Sequence, residues 1–254
     1  MTYEAKNPIK ATKRSFDVIE TLAKMDGARL TIIAEELDLP NSTVHSHLST
    51  LMERGYVVQE DDTYRLSLQF LRLGESTRKI HRVYHAGRAE IDELAAETGE
   101  VASLLVEEDG RAVFLYSAEG DDAMSLNTSP GTHIHLHTSA MGKAILAQLP
   151  DDEVDTILEH RALPAYTEKT LTDEDALREE LTDIREDGIA TDDEERVRGS
   201  RSAAAPLRGE SGKVIGSVGI SGPVSRLSYD SLSNGVADRL HDATNIIELK
   251  LAYS

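Results

Sequence analysis

The 254-residue chain carries 46 Asp and Glu against 27 Lys and Arg, a formal charge of −19, and contains no cysteine. Disulfides, thiolate catalysis and Cys-based zinc sites are thereby excluded, and no apolar run reaches the roughly 18 residues that a membrane span needs. The opening "MTYEAKNPIKATKRSF" is polar and basic, without the apolar stretch of a signal peptide, so a cytoplasmic protein is expected.

The charge is unevenly spread. Residues 1–75 hold 9 Lys and Arg against 12 Asp and Glu, whereas residues 76–254 hold 18 against 34. Only 9 of the cations are lysines. Abundant carboxylates and scarce lysine fit a surface kept soluble in concentrated salt, as in halophilic archaea; a merely acidic mesophilic protein is the alternative.

In chain order, residues 10–24 read as a helix with Phe16, Ile19, Leu22 and Ala23 on one face. "DGAR" breaks it. A short second helix follows with Thr31 as its expected N-cap and Ile32, Ile33 and Leu37 turned inward. After the "DLP" turn, Asn41 is suited to cap a third helix. There Val44, Leu48, Leu51 and Met52 form one apolar stripe, at about 100° per residue. The opposite face carries Ser42, Ser46, Ser49 and Glu53, with Thr43, His45 and His47 on the flanks. Short polar side chains can approach base edges closely, and a helix N-terminus offers N–H groups to phosphate. "YVVQ" and "TYRL" then form a strand pair joined by "EDD", whose carboxylates would repel phosphate on contact. This order is that of a winged helix-turn-helix, with Lys10, Lys13 and Arg14 as candidate phosphate contacts. A three-helix packing module with a solvated serine face is the plainer reading.

Residues 68–98 are mostly helix-compatible and end at "ETG", a connector, lever or dimer seam. The expected boundaries are 1–67 for the winged domain, 68–84 for a linker helix and 85–254 for a second domain. In the latter, "VASLLVEEDGRAVFLYSAEG" reads as a hairpin and "DAMSLNT" as a third strand. "SPGTHIHLH" leads into the helix start "SAMGKAILAQL". Acidic helices follow over about 151–161 and 173–187, then a hairpin in "SAAAPLRGESGKVIGSVGISG" and a closing helix from about Ser228 to Leu251. The fold class is α+β around an antiparallel sheet.

The stretches "LPNSTVHSHLSTLMERGYV", "GTHIHLHTSAMGKAILAQLP", "LTDEDALREELTDIREDGIATDDEE", "GSRSAAAPL" and "GSVGISGPVSRL" together resemble the IclR (isocitrate lyase regulator) family of transcription factors. The resemblance covers nearly the whole chain. It implies an N-terminal winged helix-turn-helix and a C-terminal GAF-like effector-binding domain. It also implies a pocket formed by Ala140, Met141 and Gly142 at a helix start, by Asp192, and by Ser202, Gly219 and Ser221 of the last hairpin. Gly219 and Ser202 stand where the family often has serine and cysteine. Leu136 and Met141 are expected to form an apolar wall, and Gly219 to leave room for a larger ligand.

"HIHLH" departs from the family pattern. On an extended strand His133, His135 and His137 would project to one side, where they could share a metal ion or be satisfied as polar histidines. The leading expectation is a ligand-responsive transcription regulator without a cofactor. Its partners are a double-stranded DNA operator, a small polar metabolite and a second copy, as a homodimer or dimer of dimers. DNA contacts are expected from Asn41, Ser42, Thr43, His45, Ser46 and Ser49. A constitutive DNA-binding protein, and a metal-dependent hydrolase using "HIHLH" with Asp192 as base, are the alternatives; the second lacks a nucleophile–base pair.

Overall fold

The computed structural model describes residues 5–228 and 235–253, and the chain divides between Arg78 and Lys79 into two compact units. The first begins with helix α1 (Lys10–Met25), strand β1 (Ala28–Arg29), helix α2 (Leu30–Glu36) and helix α3 (Asn41–Glu53). Strands β2 (Val57–Glu60) and β3 (Thr63–Leu66) follow, then helix α4 (Gln69–Lys79). Val44, Leu48 and Leu51 pack with Val18, Leu22, Ile33, Val57 and Tyr64, so the stripe expected on α3 is the buried one.

Several local expectations differ. On α1 the buried residues are Val18, Thr21 and Leu22. Phe16 is 57% exposed because it lies nearly opposite that stripe on the helical wheel. On α2 only Ile33 and Ala34 are buried, and Ile32 is turned outward. Thr31 caps nothing, since the helix already starts at Leu30, directly after the extended Arg29. Asn41 likewise lies inside α3: Pro40 is the cap, its carbonyl accepting from the Thr43 and Val44 N–H groups at 2.9 and 3.2 Å. Proline's fixed φ sets the chain's approach, so no side-chain cap is required.

"DGAR" does more than break a helix. Its last two residues are β1, which joins β3 in an antiparallel sheet of order β1-β3-β2. Gly27 sits at φ +99° beside the Tyr64 carbonyl, a backbone position that disfavours any side chain.

The second unit opens with helix α5 (Arg82–Thr98), separated from α4 by Ile80 and His81, so the linker helix expected over 68–84 is interrupted there. Gly99 ends α5 in the left-handed conformation. Strands β4 (Val101–Glu108), β5 (Arg111–Glu119) and β6 (His133–His135) lead through a 3-10 turn, Leu136–Thr138, to helix α6 (Ala140–Leu146). Helices α7 (Asp151–Arg161) and α8 (Glu174–Asp187) precede strands β7 (Ala190–Asp193), β8 (Ser200–Arg208) and β9 (Val214–Pro223). Helix α9 (Ala237–Ala252) closes the unit; part of the closing helix expected from Ser228, residues 229–234, lies outside the described residues.

The six strands form one antiparallel sheet of order β6-β5-β4-β9-β8-β7. α5 and α9 cover one face through Ile91, Leu94, Leu240 and Ile247 against Leu104, Ala203 and Val218. α6 and α8 cover the other through Met141, Ile145, Leu177 and Leu181 against Leu105, Phe114 and Ala204. "DAMSLNT" is not a strand. β6 pairs only Arg111–Val113 of β5, and residues 121–130 form a loop that meets the rest of that edge through isolated bonds, such as Ser117 Oγ to the Thr128 carbonyl at 3.0 Å.

Candidate functional sites

The first site is the outward face of α3. Asn41, Ser42, His45 and Ser46 are exposed there, while Thr43 and Ser49 are half-buried. The face is not idle: the Ser46 hydroxyl donates to the Ser42 carbonyl at 3.0 Å, and Thr50 to that of Ser46 at 3.0 Å. Each hydroxyl oxygen keeps acceptor capacity for a base-edge donor. His47 belongs to the scaffold instead, its Nδ1 2.9 Å from the Ser15 hydroxyl on α1. Lys10, Lys13 and Arg14 are all exposed at the start of α1. In the strand pair, Arg65 pairs with Glu60, leaving Asp61 and Asp62 as the exposed acid of the turn.

The second site lies on the α6 face of the large sheet. Asp192, Ser202 and Ser221 stand opposite one another on β7, β8 and β9 and therefore share a face. Their side chains are buried and connected: Ser202 Oγ is 2.9 Å from Ser221 Oγ and 3.5 Å from Asp192 Oδ2. The next row along is Ala190, Ala204 and Gly219. Its small residues let α6 approach closely. A Cβ on Gly219 would lie 2.4 Å from Met141 Cγ, so the space is taken by Met141 and not left for a ligand.

Met141, Asp192, Ser202 and Ser221 line one cavity of about 80 Å³, with Phe114, Ile134, Asn127, Thr128, Ser139, Ser200 and Arg196 also on its walls. That volume holds roughly half a dozen waters at about 10–15 Å³ each. Leu136, Ala140 and Gly142 are buried beside it without lining it. Gly142 is needed for packing: a Cβ there would fall 2.1 Å from the Leu136 carbonyl oxygen. Its N–H is already engaged, donating to the Ser139 side chain at 3.1 Å. Ser139, the α6 N-cap, was legible as the serine before "AMGK"; Ser200 opens β8, and Arg196 comes from the loop before it, which has no periodic signal.

Behind the cavity lies an ionic group. Lys143 is fully buried on α6, with Nζ 2.5 Å from Glu180 and 2.6 Å from Glu195. Burial alone would lower its pKa, but Glu195 and Glu180 beside it raise it above its ordinary value. Burial pushes the Glu195 carboxyl up to about 7 and the Asp192 carboxyl up to about 6, against the pull of Lys143 on both. The Glu195 N–H donates to Asp192 Oδ1 at 2.8 Å, tying this ionic group to the cavity wall.

The three histidines separate. His133 is exposed and bonds the Gly131 carbonyl at 2.8 Å through Nδ1. β6 ends at His135, so the alternation stops there, and His137 sits in the 3-10 turn with Nε2 3.2 Å from the Pro164 carbonyl. Burial holds His135 down at about 4 and His137 below its ordinary value, which keeps both neutral. Among the described residues, no three His, Asp or Glu side chains gather as a metal-binding group.

A winged helix-turn-helix joined in one chain to an antiparallel-sheet domain with a small, partly apolar cavity defines a DNA-binding transcription regulator with an effector-binding domain. The chain belongs to the IclR family: the IclR helix-turn-helix domain matches residues 11–61, and the bacterial transcriptional regulator IclR C-terminal domain matches residues 77–248. It is 34% identical to the HTH-type transcriptional regulator ArcR of Halobacterium salinarum, over 96% of this chain and 94% of that one. A transcriptional regulator from a Rhodococcus species has the same fold, with a TM-score of 0.85 at 30% identity, covering 97% of this chain and 99% of that one. An IclR homologue from Microbacterium hydrocarbonoxydans, crystallised with 4-hydroxybenzoate, superposes with a TM-score of 0.81 at 23% identity, over 96% and 100% of the two chains.

Proposed function

We propose that the protein reads its operator with α3 and senses a small polar metabolite in the cavity beside Asp192. The observation that carries this is the in-register row Asp192–Ser202–Ser221, buried yet facing a cavity. Ser202 and Ser221 can donate to a ligand oxygen, and Asp192 accepts from a ligand hydroxyl. A small acid bearing hydroxyls suits these partners, and 4-hydroxybenzoate in the Microbacterium homologue belongs to that chemical class. Binding alters regulation only if the ligand prefers one of two arrangements of the assembly.

The chain acts without chemistry on its ligand. In support, the chain belongs to a family of transcriptional regulators. The contacts to DNA are Asn41, Ser42, Thr43, His45, Ser46 and Ser49 in the groove, with Lys10, Lys13 and Arg14 on phosphates. The working form is a homodimer or dimer of dimers in the cytoplasm of a halophile. Leu68 and Leu71, at 83% and 63% exposed, suit a seam with a second copy. Similarity to a Halobacterium protein and the acidic surface support the habitat.

The test is thermal-shift screening of the full chain in molar KCl over sugars, sugar acids and aromatic acids. A ligand that raises the melting temperature of the wild type, less in Ser221→Ala, supports the sensing reading. A protein that no ligand stabilises, yet which binds its operator, is a constitutive DNA-binding protein.

A further inference from the structure

Among the described residues, Arg196 is the only basic one lining the cavity, and its surroundings are unusual for this chain. Neighbouring cations are paired: Lys169 with Asp193 and Glu194, Arg198 with Glu168, Arg201 with Asp193. Arg196 is half-buried, its guanidinium 5.6 Å from the centre of the Tyr166 ring; it feels the charge of Asp192 but has no hydrogen bond or close ion pair to any described residue. In a chain with 46 carboxylates, a partly desolvated guanidinium left without an acceptor calls for explanation.

The backbone around it is braced. Thr170 Oγ1 donates to the Glu195 carbonyl at 2.5 Å, and Thr167 Oγ1 to the Glu194 carbonyl at 2.7 Å. Glu195 is anchored on buried Lys143, and Glu194 bonds Lys169 at 2.6 Å and the Gly199 N–H at 2.7 Å. The segment that holds Arg196 in place thus also carries Tyr166, on which the guanidinium stacks. Burial lowers the guanidinium's pKa, in keeping with its loss of solvent.

We infer that Arg196 is the specificity residue that selects an anionic ligand, pairing its carboxylate, while Asp192 accepts from a ligand hydroxyl and Ser202 and Ser221 bond its hydroxyl or carbonyl. A guanidinium offers a planar fork that matches a carboxylate with paired N–H···O bonds. A phosphate dianion fits less well, because the cavity has a single cation on its wall and holds Asp192 as well. The inference rests on the sensing reading and adds the group that chooses acid over neutral ligand.

The experiment is calorimetric titration of the full chain in molar KCl with lactate, gluconate, benzoate and phenylacetate, each beside its amide, and with inorganic phosphate. For at least one pair, wild type is expected to bind the acid at least about tenfold more tightly than the amide. Arg196→Gln should weaken the acid by roughly ten- to hundredfold and leave the amide unchanged, erasing the preference. Arg196→Lys should keep part of it, showing that charge at this position and not a folding defect is read. Ser221→Ala should weaken acid and amide alike. An Arg196→Gln protein that still prefers the acid, a wild type that prefers the amide, or phosphate binding in place of carboxylate overturns the assignment and leaves the sensing reading standing. A wild type that binds no probe at millimolar concentration overturns both.

Discussion

Lys143 Nζ lies 2.6 Å from the Glu195 carboxylate in the interior of the effector domain, with Glu180 on its other side. The buried ammonium and its two carboxylates offset one another's burial cost, while the carboxylates themselves repel, so the group depends on Lys143. Glu195 Oε2 has no hydrogen-bond partner, so the group is already imperfectly satisfied. Lys143→Met should lower the unfolding free energy of this domain by about 3–5 kcal/mol, since it strands two carboxylates. Urea titration followed by circular dichroism measures it; a change of a few tenths of a kcal/mol would show the ion pairs to be incidental.

Asp192 sets a pH dependence whose sign follows from its burial. Its pKa rises from 3.8 to about 6 on folding, so the native state holds the proton more tightly than the unfolded chain. Its contribution to stability is therefore fully present in acid and is lost as pH rises towards about 6. Asp192→Asn keeps an acceptor for the Glu195 N–H and removes the titration. The difference in stability between variant and wild type should grow in the variant's favour between about pH 4 and 6, then level off. A difference that is flat across that range contradicts the buried-carboxylate account.

On α3, Ser46 is exposed and faces away from Val44, Leu48 and Leu51. Ser46→Glu should leave the melting temperature unchanged and weaken operator binding by roughly 2 kcal/mol or more, by setting a carboxylate against bases and phosphates. Wild-type affinity in a mobility-shift assay would move the reading surface elsewhere.

Salt dependence tests how an acidic protein reads a polyanion. Each phosphate contact contributes a slope of about −0.9 in log affinity against log salt. With Lys10, Lys13 and Arg14 as the candidate phosphate contacts and an uncharged serine face in the groove, the slope should be shallow and specific binding should persist in molar KCl. Fluorescence anisotropy across potassium concentrations reads the slope; a steep one would mean many more phosphate contacts than those named.

Much of this protein was legible in one dimension because its signals are local. The α3 stripe, the strands on either side of "EDD", the hairpins at "EEDG" and "GESG", and the acidic helices α7 and α8 follow from hydrophobic period and turn residues, which neighbours along the chain suffice to set. Where expectation and structure part, distant partners decide. Phe16 faces out because the core meets Val18 and Leu22 instead. "DAMSLNT" is a loop that meets β5 through isolated contacts such as Ser117 Oγ to the Thr128 carbonyl, and not through a ladder. Asp192, Ser202 and Ser221 were named from the resemblance, but only strand register sets them in one row, and only the close seat of α6 over Gly219 gives Met141 the space expected for a ligand. Arg196 and Lys143 carry no sequence period at all. Their roles depend on which carboxylates the fold brings near, and a chain with this many acids does not reveal, residue by residue, which cation is left without one.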